Sequence, residues 1–179
     1  LGGLAAGLAL VATAAAIGKK IVELAISVAD AQSEFMKATG ASREFASSIS
    51  GLTQDVRAFG ASTKEVNAAM QTLFKSTTDF TMMSRQTRDE MTRNSAALAQ
   101  LGVSNEDFAR GSQIAIKAMG QTGIQAAATQ REIAALAMDI GVAPQQMASD
   151  FATAGPQLAK FGSDGVRAFK DLAVAAKVT

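Results

Sequence analysis

Leu101-Gly102-Val103-Ser104-Asn105-Glu106-Asp107-Phe108 is the stretch whose reading decides the fold. An apolar residue closes one helix, and the glycine takes the left-handed position of a helix stop. Serine then caps the next helix, and Glu106 and Asp107 set negative charge against its N-terminus. The same design, with a small or capping residue opening the next helix, returns at Phe59-Gly60-Ala61-Ser62, Ile140-Gly141-Val142-Ala143 and Phe161-Gly162-Ser163-Asp164. These joints predict an all-α chain of short antiparallel helices linked by glycine stops and capped starts. The glycine spacings are unequal, so the pattern reads as helical hairpins and not as a true repeat array.

Between the joints, apolar residues recur at the three- and four-residue offsets of one helix face. Phe45, Ile49, Leu52, Val56 and Phe59 form such a stripe, behind a stop at Gly40 and a cap at Ser42. Ser62 and Glu65 have the spacing of a capping box, with Val66, Ala69, Met70 and Leu73 following on one face. A break is expected over residues 76–79. A longer polar helix is expected over 82–101, facing inward through Met83, Met91, Leu98 and Leu101, with Asp89 and Arg93 spaced as an ion pair. Later segments are expected at 124–140, 144–153, 156–161 and 164–177, with Pro144 and Pro156 each in a first helical turn. Ile133, Leu136, Ala137 and Ile140 form one stripe. Met147 with Phe151, and Phe161 with Phe169, supply the larger core side chains.

The N-terminus differs from everything after it. Residues 1–18 carry no charge, and Lys19-Lys20 ends the run abruptly. Gly3-Leu4-Ala5-Ala6-Gly7 is a small-xxx-small pattern that lets helix backbones approach closely, with Leu8 and Val11 continuing the apolar face. Two outcomes are open: insertion into a membrane, or burial as an Ala-rich helix in a bundle. The run sits at the lower length limit for a span. The positive charges follow it, the reverse of a secretory signal. Helical sequence continues through Ile21, Leu24, Ala25, Val28, Phe35 and Met36. The chain therefore divides into an apolar helix over 1–38 and a helical-hairpin region over 39–179. A start at Leu1 and a finish without a helix stop suit a piece of a longer protein.

Composition narrows the chemistry. The 179 residues hold 17 Lys+Arg against 16 Asp+Glu, so no strong field recruits nucleic acid or anionic lipid. Cys and His are both absent, which removes thiolate and imidazole ligands and the commonest general base. Glu106/Asp107, Asp89/Glu90 and Asp139/Asp150 are the carboxylates to weigh. Adjacent helical positions point apart, so capping and solvation account for the first two pairs. Ser47, Ser48 and Ser50 lack an activating base. Gly120-Gln121-Thr122-Gly123 has neither a preceding strand nor a GK[ST] sequence, and reads as a helix–helix turn. The expectation is a chain with no catalytic, cofactor or metal residues, built from thin Ala-rich packing.

The order of these motifs resembles a known family. Leu101 to Phe108, Ile140-Gly141-Val142-Ala143-Pro144-Gln145-Gln146-Met147 with Asp150-Phe151 and Pro156 to Gly162, and Leu52 to Gly60 are similar to runs in phage tail tape measure proteins. The resemblance covers about residues 42–177, and an uncharged apolar segment beside such a region is also similar to the family. It implies a structural virion protein, in three or six copies, in the tail tube lumen or tip. Tail assembly chaperones coat it first, tube and baseplate hub proteins then surround it, and its length sets tail length. On infection it leaves ahead of the DNA and helps form a path across the host inner membrane. The frequent glycine breaks suit a folded section better than extended ruler. Phe45, Ile49, Leu52, Val56 and Phe59 are then expected to pack against partner chains, and Gly3, Leu4, Gly7, Leu8 and Val11 against membrane or sister helices. The competing expectations are a pore-forming or bacteriocin-like domain inserting residues 1–36, and, more weakly, a lytic domain using Glu106 or Asp107.

Overall fold

The structure is a computed structural model that describes the backbone of residues 2–178 and the side chains of residues 19–177. It is all-helical, with no strand among the described residues. The helices are α1 (Gly2–Thr39), α2 (Arg43–Val56), α3 (Thr63–Ser76), α4 (Arg85–Ala99), α5 (Asn105–Met119), α6 (Gly123–Asp139), α7 (Pro144–Leu158) and α8 (Gly165–Val178). Short 3-10 turns cover Arg57–Phe59, Phe80–Met82 and Ala159–Asp164.

The joints form for the reasons their residues suggest. Gly60, Gly102, Gly120 and Gly141 all hold positive φ, where an L side chain would clash with the following carbonyl. Ser62, Ser84, Ser104 and Thr122 each accept a hydrogen bond from a backbone N–H three residues on. Ser62/Glu65 and Thr122/Gln125 are full capping boxes. Ser42 stands at the start of α2 but makes no side-chain cap bond. Pro144 opens α7 as expected, whereas Pro156 lies inside α7 and starts nothing. Its ring removes the hydrogen bond that an N–H at this position would give to the Ala152 carbonyl, and the α-helix ends soon after, at Leu158.

Each helix packs on the two that follow it, so odd-numbered helices form one row and even-numbered helices a second. Helix starts at Arg43, Thr63, Arg85, Asn105, Gly123, Pro144 and Gly165 recur at roughly 20-residue intervals. The chain is therefore a regular stacked array, contrary to the reading from unequal glycine spacing. The α3–α4 joint accounts for the difference. It uses no glycine, and Phe80 fills the turn as a fully buried plug. Gln113 of α5 clamps that joint from the side, accepting from Thr78 N–H at 3.1 Å and donating to its hydroxyl at 2.8 Å. The same joint delays the start of the expected 82–101 helix to Arg85, and the helix ends at Ala99.

The core passes along the array in three connected groups. Ala31 and Phe35 of α1 meet Ile49, Leu52 and Val56 of α2 and Val66 and Met70 of α3. Met91, Phe108, Ala127 and Ala134 then join α4, α5 and α6. Ile133, Met147, Phe151 and Phe169 finish it on α6, α7 and α8. Edge-to-face rings tie the ends of the groups: Phe74 contacts Phe35 and Phe45 at 5.7 Å, and Phe151 contacts Phe169 at 5.1 Å. Polar links repeat the stacking rule. Asp55 of α2 pairs with Arg93 of α4, Asp79 after α3 with Lys117 of α5, and Glu132 of α6 with Lys170 of α8. In all three the acid comes first and the base follows 38 residues later.

Candidate interaction surface

The stripe expected to meet partner chains is covered largely from within. Ile49, Leu52 and Val56 are buried against α1 and α3, and Phe45 is half-buried between Phe74 and Arg88. The Arg88 guanidinium lies 4.3 Å from the Phe45 ring centroid, a cation–π contact, and donates to the Met83 carbonyl at 2.6 Å. Phe59 is the exception. It sits in the 3-10 turn beyond α2, off the helix face, and is 60 % exposed. Leu101, just before its own glycine joint, is exposed as well, so it closes no core. Phe59 and Leu101 flank a cleft of about 380 Å³ lined by Arg93, Leu98 and Arg131 among others.

The carboxylates hold helix ends and neighbouring helices. Asp107 stands in the cap of α5, its Oδ2 accepting from the Ser104 hydroxyl at 2.9 Å. Glu106 is exposed beside it. Asp89 pairs with Arg85 at 3.5 Å and not with Arg93, which turns to Glu90 and to Asp55. The Asp55 hydrogen bond, more than any other influence, raises the Arg93 pKa from its ordinary value. Asp139 and Asp150 are exposed, and Asp150 accepts from Gln146 at 2.8 Å. Glu65 is held below the usual carboxylate range, chiefly by the Ser62 backbone N–H and then by Gln100. Among the described residues no group of three potential metal ligands occurs.

The least-covered surface lies at the two ends of the array. Of the eleven exposed large apolar side chains among the described residues, six are Ile21, Val22 and Ile26 on α1 and Phe161, Leu172 and Val174 around α8. Phe161 therefore leaves the core position expected of it. Residues 19–27 of α1, apart from Leu24, are exposed; Ile21 lines a cleft with Ser50, Thr53 and Gln54 of α2, and Ile26 one with Lys64 of α3. At the other end a groove of about 440 Å³ separates α7 from α8. Ile140, Val142, Met147, Phe161, Leu172 and Ala173 give it apolar walls, and Asp150 and Lys177 stand at its rim. Sequence reasoning missed this groove, although Phe169, Leu172 and Val174 on one helix are too widely spread for a single buried face. Gly3, Leu4, Gly7, Leu8 and Val11 lie outside the residues whose side chains are described. Among the described residues no helix is long and apolar enough to cross a membrane.

Fold and surface together define an all-helical protein of stacked helices with open apolar ends. No protein-family model, curated protein or solved structure matches the chain.

Proposed function

We propose that this chain is a folded section of a phage tail tape measure protein, acting as a structural and ejection component of the virion and not as an enzyme. The observation that carries the reading is the ordered run of joints from Leu52–Gly60 through Leu101–Phe108 to Ile140–Met147, each placed where one helix hands over to the next. In this reading three or six copies lie in the tail lumen or tip. Chaperones hold them during assembly, tube and baseplate hub proteins surround them afterwards, and the host inner membrane receives them on ejection. The stacked array supports a module at one end of the ruler. An extended helix lengthens a tail by about 1.5 Å per residue. Stacked helices advance only about 8–10 Å per helix pair in each row.

In-frame deletion of the α5–α6 pair, followed by electron microscopy of tails, separates these cases. Removal of roughly 40 extended residues shortens tails by about 60 Å. Loss of one folded pair shortens them by about 10 Å or less and impairs genome delivery. Normal tails with normal delivery overturn the reading.

A second reading, a pore-forming domain, draws on the uncharged run over 1–18 and on the exposed continuation of that helix over 19–27. Dye release from lipid vesicles by the isolated chain, abolished by Leu8→Asp, supports that alternative. Intact vesicles remove it.

A further inference from the structure

We infer that the cleft between Phe59, Leu101 and Arg131 docks the C-terminal residue of a partner peptide, one that ends in a large apolar side chain. The inference does not depend on the tail assignment. All walls of the cleft come from the stretch between the end of α2 and α6, so neither end of the array defines it. Its floor is the outer face of α4, where Asn94, Ala97 and Leu98 follow one another at helical spacing. Phe59, in the turn after α2, stands at one side and Arg131 of α6 at the other, because α4 lies between α2 and α6 in the even row. Leu101 closes the end beyond α4. The volume of about 380 Å³ falls in the range of small-ligand clefts, about 300–1,000 Å³. Phe59 and Leu101 face solvent instead of the core, and apolar side chains gathered inside a polar rim mark a binding face.

Each wall specifies one part of the occupant. Phe59, Leu98 and Leu101 fit an apolar side chain. Arg93 offers little to a ligand, since Asp55 at 2.6 Å and Glu90 already hold its guanidinium. Arg131 differs. It is exposed and forms no ion pair or hydrogen bond, and the neighbouring Glu132 is taken by Lys170. Arg131 is therefore the charge on the cleft wall without a local counter-ion, and it complements a single carboxylate. Asn94 is only 4 % exposed. Its amide nitrogen donates to the Glu90 carbonyl at 2.7 Å and to the Glu90 carboxylate at 2.9 Å. The amide oxygen, turned away from these two acceptors, has no partner among the described residues and is free to accept one N–H. An apolar side chain, a carboxylate and one N–H occur together in the last residue of a peptide. A fatty acid lacks the N–H, and an internal Asp or Glu carries its carboxylate on a different side chain from the apolar group.

The test titrates the whole, isotopically labelled chain with short peptides and follows amide chemical shifts. Acetyl-Ala-Ala-Ala-Leu as the free acid is expected to shift Ala97, Leu98, Leu101 and Arg131. It should bind at least about threefold tighter than the same peptide with a C-terminal amide, the scale of one exposed ion pair. Acetyl-Ala-Leu-Asp-Ala-amide, whose carboxylate is internal, is expected to bind no better than that amide. Arg131→Gln brings the free acid down to the level of the amide, and Arg131→Lys restores part of the difference. Salt at about 1 M narrows it as well. Leu101→Ser, at an exposed position, weakens the free acid and the amide alike with helical content unchanged. Equal binding of free acid and amide overturns the proposal. So do shifts confined to other faces, or none at any concentration tested. Tighter binding of the internal acid assigns the cleft to an acidic segment and overturns the chain-end reading. A dimer in sedimentation velocity that Leu101→Ser dissolves assigns the cleft to a second copy and overturns it too. Tail length after deletion of α5–α6 is a separate readout, so either conclusion can fail without the other.

Discussion

Helices α5 and α8 are near equals in length, at 15 and 14 residues, and both carry an apolar stripe. Their fates differ. Phe108 near the start of α5 is fully buried, whereas Leu172 in the middle of α8 is 63 % exposed. The apolar content of the two sequences does not explain this. α5 is followed by two further helices that close over it, and α8 is followed by none among the described residues. In a stacked array, burial belongs to a helix's position in the row, and stability is a sum over neighbouring interfaces.

The comparison breaks most visibly under truncation. Phe108→Ala removes a ring held by α4, α5 and α6, and the expected loss is about 3–5 kcal/mol in urea unfolding. Leu172→Ala, the corresponding change at the open end, is expected within about 0.5 kcal/mol for a dilute chain. Equal losses would mean that α8 is covered in solution.

Glycines sharpen the same contrast between joint and helix. Gly102 stands at φ +86°, so Gly102→Ala is strained whatever the space around it, by about 1–2 kcal/mol. Gly51 lies within α2, exposed, and an added methyl group there meets nothing within 4 Å. Gly51→Ala is expected to stabilise by up to about 1 kcal/mol through helix propensity. Thermal melts of the two variants should move in opposite directions.

The interior also carries an expense that the ends avoid. Gln130 of α6 is 2 % exposed, yet neither its amide nitrogen nor its amide oxygen has a hydrogen-bond partner. Gly111 of α5 leaves room for it, since a methyl group there would collide with the amide. Replacing a buried, unpaired amide by an apolar side chain of similar size removes its desolvation penalty. Gln130→Leu is accordingly expected to raise stability by about 1 kcal/mol. A fall of that size would show that the amide is satisfied by water in solution.

Much of this architecture was legible because local chemistry dictated it. Glycine with positive φ followed by a capping hydroxyl, or by Pro144 at the first helical position, leaves few alternatives, so the joints at Gly60, Gly102 and Gly141 fall where the sequence indicates. The helical spacing also placed Ile49, Leu52, Val56, Val66, Met70 and Ile133 correctly on buried faces. What failed was long-range. The array was hidden because Phe80 replaces a glycine at one joint, and a plug is recognisable only from the cavity it fills. Yet the acid-to-base spacing of Asp55–Arg93, Asp79–Lys117 and Glu132–Lys170 lay open in the sequence. Leu101 and Phe161 were misplaced because an apolar residue ahead of a glycine joint can point away from the core as easily as toward it. Pairing of Arg93 with Asp55 in place of Asp89 depended on the even row, which local spacing does not reveal.

The smallest expected effect compares two capping boxes that differ in the chemistry of one side chain. Thr122 is closed by Gln125, a neutral amide, and Ser62 by Glu65, a carboxylate. Glu65 accepts from the Ser62 N–H at 2.6 Å, the Ser62 hydroxyl at 2.8 Å and Gln100 just beyond α4 at 2.9 Å. These donors favour the ionised form and lower the Glu65 pKa in the folded chain. A depressed carboxylate contributes stability that is present above its unfolded pKa, about 4.3, and is lost as pH falls through the folded value. Glu65→Gln converts the first box into a copy of the second. At neutral pH it is expected to cost about 0.5–1 kcal/mol, within the range for a cap. Below the folded pKa the variant and the parent should converge, because protonated Glu65 has lost the advantage that Gln lacks. Urea midpoints for the two chains at pH 7 and in acid test this directly. A difference that persists in acid assigns the contribution to the shape of the Glu65 side chain and not to its charge.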